Sequence, residues 1–246
     1  MRTIILCSIA SITFCMSLGF AAEPSQCSTK KIEVINNGIG GQNSNDILNR
    51  FPDILKAKPD TIILMVGTND SLNSSKSVTV ERFTENLKKI SDLARTEKIT
   101  LILMTIPPCY GKYVLMRHPA QFFEAHTPED KVKIYNSAIK AFAAKEGIPV
   151  LDIYRIFMSI GNVGLEKDSL IRNSENSNAQ DGIHPTSDGY KIMATALYGF
   201  MESQQLKPEK IACVGDSITF GVHVKGEGTS TGQTYPAWLS ALYNFN

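Results

Sequence analysis

The stretch Ile211-Ala212-Cys213-Val214-Gly215-Asp216-Ser217-Ile218-Thr219-Phe220-Gly221 runs four apolar residues straight into an Asp-Ser pair bracketed by glycines. Such a run, closed at once by glycine, reads as a short buried strand ending in a sharp turn. Gly215 and Gly221 supply the backbone freedom the turn requires. Ser217 is thereby delivered to the carboxyl end of a strand, the end at which open parallel sheets bind ligands. A serine hydroxyl becomes a useful nucleophile there when an imidazole accepts its proton and a carboxylate fixes the imidazole's tautomer.

Working outward, three further blocks precede this one, and each occurs once: Asn37-Gly38-Ile39-Gly40-Gly41, Gly67-Thr68-Asn69-Asp70 and Asp181-Gly182-Ile183-His184. The last places a carboxylate three residues before an imidazole, just ahead of a helix that Thr186 or Ser187 can cap. Short apolar runs predict strands over 32–36, 61–66, 100–105, 150–153 and 211–214. Amphipathic periodicity predicts helices over 44–56, 80–97, 128–146, 187–204 and 235–243. Alternation of the two is the pattern of an α/β domain on a parallel sheet. Two long loops, 107–127 and 161–180, interrupt the spacing and are candidates for the wall of a ligand crevice.

Taken together, the four blocks resemble the SGNH, or GDSL-type, hydrolase superfamily, over nearly the whole chain after its first residues. The resemblance implies a three-layer α/β/α sandwich of flavodoxin-like type with a five-stranded parallel sheet. It implies Ser217 as nucleophile, with Asp181 and His184 as its partners. The oxyanion hole falls on the Ser217 backbone N–H, the Gly41 N–H and the Asn69 side chain, with Gly40 the nearest competitor for the glycine role. No metal or organic cofactor is implied. Details of the blocks, with Tyr235-Pro236-Ala237-Trp238-Leu239 and His184-Pro185-Thr186, look more like carbohydrate acetylesterases than like lipases of the superfamily. The implied activity is hydrolysis of short acyl, chiefly O-acetyl, esters on carbohydrate. Alternatives are a lysophospholipase or thioesterase, an O-acetyltransferase, and an inactive glycan-binding module.

The order of the blocks departs from the family, in which the Gly-Asp-Ser strand comes first. A circular permutation is expected, with 23–205 carrying the other blocks and 210–246 returning the missing strand, nucleophile and helix to one domain. Strand 211–214 should then insert between 32–36 and 61–66. A truncated tandem array or a domain-swapped assembly are the rival explanations, and oligomeric state stays open.

Length and composition set the frame. The chain has 246 residues, enough for one sizeable core, and its 25 Lys and Arg nearly balance 24 Asp and Glu, a net charge of +1 that recruits neither nucleic acid nor an anionic membrane. Met1-Arg2, an uncharged run over 4–20 and Ala21-Ala22 read as a signal peptide over 1–22, so a secreted or periplasmic protein is expected, without stable membrane insertion after cleavage. An uncleaved anchor is the alternative. Beyond that segment lie Cys27, Cys109 and Cys213. Three thiols allow one disulfide at most, and Cys213, within a strand pattern, reads as a small buried hydrophobe. No Cys/His spacing resembles a zinc site. His223, in a Gly-rich loop, reads as an incidental or substrate-contacting residue.

Overall fold

The computed structural model describes residues 31–161 and 163–245. The expected signal peptide, Cys27 and any Cys27–Cys109 bond lie outside the described residues. No helix among those described is long and apolar enough to cross a membrane.

Five strands form one parallel sheet: β1 (Glu33–Gly38), β2 (Thr61–Met65), β3 (Thr100–Met104), β4 (Val150–Leu151) and β5 (Lys210–Gly215), in the order β1-β5-β2-β3-β4. The last strand of the chain thus lies between its first two, as expected. Its register runs from Glu33 opposite Lys210 to Gly38 opposite Gly215 on one side, and from Thr61 opposite Ile211 to Met65 opposite Gly215 on the other. Every residue of β2 and all of Ile211–Gly215 are buried, which explains why these segments are continuous apolar runs rather than alternating ones.

Five long helices flank the sheet: α1 (Ser44–Leu55), α3 (Val80–Thr96), α5 (Pro128–Glu146), α8 (Ser187–Ser203) and α10 (Tyr235–Asn244). The shorter helices are α2 (Thr68–Leu72), α4 (Gly111–Val114), α6 (Ile153–Ile160), α7 (Ser174–Ser177) and α9 (Ser217–Phe220). Helix α3 packs against α1 and α5, while α8 packs against α10 and α6, so two helical groups cover the sheet. Each long helix starts at a side-chain cap; Thr127 and Asp130 form a reciprocal box at α5, and Thr186 accepts from Gly189 at α8.

The fourth strand is shorter than its apolar run. Asp152 accepts from the Arg155 N–H and caps α6, so the chain turns helical at Ile153, which sequence reading placed in the strand. The two ends of the described chain meet: the Ile32 N–H donates to Asn244 Oδ1 at 2.9 Å, and Asn244 Nδ2 donates to the Ile32 carbonyl at 3.0 Å.

Candidate functional site

At the carboxyl end of β5 the chain reverses within one residue. A side chain on Gly215 would strike the Met65 carbonyl and Thr219, and one on Gly38 would fall on the Phe220 backbone, so glycine is required at both strand ends. Asp216 caps the following turn by accepting from the Ile218 N–H at 2.9 Å. Gly221 closes it at φ 84°, its N–H donating to the Ser217 and Ile218 carbonyls. Ser217 is therefore the first residue of α9, partly exposed on a rigid support. Its backbone N–H has no partner among the described residues.

His184 reaches this serine from the loop before α8. Its Nε2 lies 2.9 Å from Ser217 Oγ, and its Nδ1 lies 3.0 and 2.9 Å from the two oxygens of Asp181. The backbone N–H groups of Ile183 and His184 both donate to Asp181 Oδ1 at 3.0 Å, winding Asp181–His184 into a tight turn. Gly182 adopts φ 73° in that turn, and a side chain on it would collide with the Tyr110 carbonyl. Burial alone would raise the Asp181 carboxyl. The His184 ring, by hydrogen bond and charge, and the two backbone donors overcome this and hold it at about 2. Asp181 is thus an anion throughout the neutral range, oriented to keep a proton on His184 Nδ1 and leave Nε2 facing the serine.

Two arginines fix the carboxylate's loop. Arg117 donates to the Gln180 carbonyl at 2.8 Å and to the Asp181 carbonyl at 2.5 Å. Arg172 holds Nε 3.7 Å from Asp181 Oδ2 and donates to the His223 carbonyl at 3.4 Å. His223 completes the surround, with Nε2 3.6 Å from Asp181 Oδ2 and its ring edge-on to His184 at 5.4 Å. Asp181, His184 and His223 offer ligand atoms within 4.8 Å of one another, a grouping that could hold a metal ion. Both ring nitrogens of His184 are already engaged, however, by Asp181 and Ser217, so a metal would have to break the relay to bind.

The residues expected to hold an oxyanion divide. Asn69, in α2, lines the same cleft as Ser217 and His184. Its Nδ2 donates to the Gln42 carbonyl at 2.9 Å and its Oδ1 accepts from Asn73 at 3.2 Å, which fixes the amide's direction and leaves its second N–H uncommitted. Gly41 adopts φ 75° and is exposed, and it is not among the residues lining the cleft. Its N–H has no internal partner among the described residues. Asp70 lies behind this wall; its two oxygens accept from the Ser44 N–H at 3.0 and 3.1 Å, anchoring the start of α1 and so the glycine-rich block before it. Arg50 of α1 ties the Asn37 and Gly215 carbonyls together at 2.7 and 3.3 Å, joining the ends of β1 and β5.

The cleft has a volume of about 410 Å³, and both long loops contribute to it: Arg117 and His118 from one, Ala179 and Gln180 from the other. His118 Nδ1 accepts from the Ser74 N–H at 3.3 Å, and burial followed by the charge of Arg117 lowers its pKa. Arg172 and the contact of His223 with Asp181 escaped sequence reading, because nothing local marks either; they lie nine and 42 residues from Asp181 in the chain.

The sequence profile of the GDSL-like lipase/acylhydrolase family matches residues 19–192. The chain belongs to that family. The matched span contains the glycine-rich, Gly-Thr-Asn-Asp and Asp-x-x-His blocks and stops before Ser217. Among curated relatives, the lipoprotein YqeF of Bacillus subtilis is 29% identical over 173 residues, 66% of this chain and 70% of that protein. An isoamyl acetate-hydrolyzing esterase of Saccharomyces cerevisiae is 22% identical over 183 residues, 71% of each chain. Of solved structures, a catalytic mutant of an acetylxylan esterase from Geobacillus stearothermophilus superimposes with a TM-score of 0.52 at 19% identity, covering 67% of this chain and 69% of that one. Membership of the family makes the protein an ester hydrolase of the acylhydrolase type.

Proposed function

We propose that this chain is a serine esterase that removes small acyl groups, acetyl above all, from carbohydrate. One observation carries the chemistry: His184 Nε2 stands 2.9 Å from Ser217 Oγ while Asp181 holds Nδ1. Ser217 Oγ attacks the ester carbonyl carbon as His184 Nε2 takes its proton. The resulting oxyanion lies against the Ser217 N–H and the Asn69 amide, both of which line the cleft; the Gly41 N–H, also unpartnered but outside that lining, joins them only if its exposed turn moves inward. Donors of this kind, already aimed where charge develops, each contribute on the order of 3 kcal/mol to the transition state. Collapse expels the sugar hydroxyl, which takes the proton back from His184. Water, deprotonated by the same ring, then attacks the acyl carbon; collapse breaks the bond to Ser217 Oγ, which takes the proton back from His184, and the carboxylic acid leaves.

The nature of the cleft favours a polar leaving group. Beside Ser217 it presents Asn69, Asn73, Arg117, His118 and Gln180, and only Leu72, Ala179 and Ile183 are apolar. A lysophospholipase would need an apolar channel of acyl-chain length. Two relatives named for acetyl esters, of isoamyl alcohol and of xylan, support the short acyl group. The likeness to a lipoprotein supports an exported location.

The chain is also read as a circular permutation of the family order. Support comes from the position of β5 between β1 and β2, from a profile match that ends before the serine, and from the hydrogen-bonded meeting of Ile32 and Asn244.

Turnover of p-nitrophenyl acetate, butyrate and octanoate tests the reaction. Acetate should be cleaved fastest, and Ser217→Ala should lose at least ~10³-fold in kcat without losing its fold. A preference for octanoate would favour the lipid-esterase reading, and inactivity toward all three esters would defeat the esterase reading itself.

A further inference from the structure

A second cleft, of about 480 Å³, adjoins the first, and the two share one wall residue, His223. Its lining includes Lys167, Asp168, Asp188 and Gln233. None of these four side chains makes a hydrogen bond or ion pair among the described residues, so each is free to meet a ligand in the cleft. Leu170 and Val224 give the cleft an apolar floor between these polar groups.

The wall is built rather than incidental. Much of it comes from the long 161–180 loop, which two asparagines organise from within. Asn173, fully buried, donates to the Gly164 and Glu166 carbonyls at 2.6 and 2.9 Å, and Asn176 donates to the Ser169 and Ile171 carbonyls, both at 3.0 Å. At the junction, His223 is held at φ 70°, a left-handed conformation that side-chain-bearing residues seldom adopt. Glu227 accepts its N–H and Arg172 donates to its carbonyl, so the imidazole is presented to both clefts at once. Residues kept in such conformations concentrate at ligand sites.

We propose that this second cleft is a subsite for a sugar unit neighbouring the one that carries the acyl group, so that the preferred substrate is an acylated oligosaccharide lying across His223. This rests on the carbohydrate esterase reading above. Uncommitted carboxylate, ammonium and amide groups side by side match the closely spaced hydroxyls of a pyranose, and Leu170 and Val224 match its C–H face. A rigid, preformed wall limits the ordering cost of binding.

The test compares kcat/KM for p-nitrophenyl acetate with that for O-acetylated gluco-, xylo- and manno-oligosaccharides of one to four units, in the full chain and in Lys167→Ala/Gln233→Ala. In at least one series kcat/KM should rise by ~10-fold or more on going from one unit to two or three. The double variant should lower the ratio of oligosaccharide to aryl acetate kcat/KM by ~10-fold, the effect of one or two lost hydrogen bonds. No length dependence in any series, or a variant that lowers both substrates alike, would overturn the subsite. Absence of aryl acetate turnover by the unaltered chain would instead remove the esterase reading, and the subsite with it.

Discussion

Beside Ser217 sits a carboxylate in the opposite electrostatic situation from Asp181. Asp216 is buried, and burial raises its pKa to about 6, with a backbone donor from Ile218 only partly offsetting this; Asp70 nearby is likewise raised to about 6 by burial, the charge of Asp216 adding to it. Below about pH 3 both carboxyls are protonated in folded and unfolded chains alike. As pH rises from about 4 to 6 the unfolded chain ionises first, so each group subtracts stability over that window and continues to do so above it. Asp216 Oδ2 and Thr68 Oγ1 face each other without a hydrogen bond of normal geometry. Asparagine at 216 keeps an acceptor for the Ile218 N–H and gains a donor for Thr68. Asp216→Asn should therefore raise Tm at pH 8 and raise it less, or not at all, at pH 4. An equal change at both values, or a loss that grows with pH, would contradict this account. The role of Asp216 as a turn residue was legible from the tripeptide alone; its charge state was not, because burial by distant segments decides it.

Among the elements, β5 and the short helix α9 determine where the serine points, and close backbone approach is what makes them fit. Gly38→Ala would drive a methyl group into the Phe220 and Thr219 backbone, which cannot rotate away as a side chain could. A loss of ~2 kcal/mol or more is expected, with ester turnover falling because α9 carries Ser217. Gly199, exposed within α8 with open space around it, provides the opposite case. Gly199→Ala should stabilise by ~0.5–1 kcal/mol through helix propensity alone. Chemical denaturation of the two variants checks both signs, and equal effects would contradict the packing argument. Elements of three or more helical turns and the buried strands stood out in the sequence because periodicity needs length to show. Helices α2, α9 and α7 are single turns, too short for a period. Helix α6 was obscured because its apolar run continues directly from β4, and only the cap at Asp152 divides them. The expectation that both long loops line the cleft follows from parallel-sheet topology, and Arg117, His118, Ala179 and Gln180 are found there.

For the molecule as a whole, the proposed permutation makes a concrete demand on the chain's ends. Ile32 and Asn244 are hydrogen-bonded to each other, while residues 205–209 form an ordinary connection from α8 to β5. A chain that begins at Lys207, continues through residue 246 and a short Gly/Ser linker into residue 31, and ends at Gln204 restores the family order without moving any strand. It should fold as a monomeric unit with Tm within a few degrees of the unaltered protein and retain p-nitrophenyl acetate turnover. Insolubility, or a dimer that is active only by exchanging segments, would count against the permutation. The rotated order itself was plain in the sequence, since each block occurs once. What could not be read there is the convergence of Arg172, His223 and Asp181, which exists only once the segment between α6 and α8 and the loop after α9 meet at the carboxyl end of β5.

In the proposed mechanism a serine just beyond the last strand, at the start of α9, is made reactive by a histidine 33 residues earlier in the chain. Treating the full chain with a fluorophosphonate, then digesting with trypsin and mapping the adduct by mass spectrometry, tests it directly. One adduct is expected, on Ser217 in the peptide 211–225, formed at a rate that falls by at least ~10³-fold in His184→Ala. A chain that stays unlabelled, an adduct on another residue, or labelling of Ser217 that is indifferent to His184 would contradict the account.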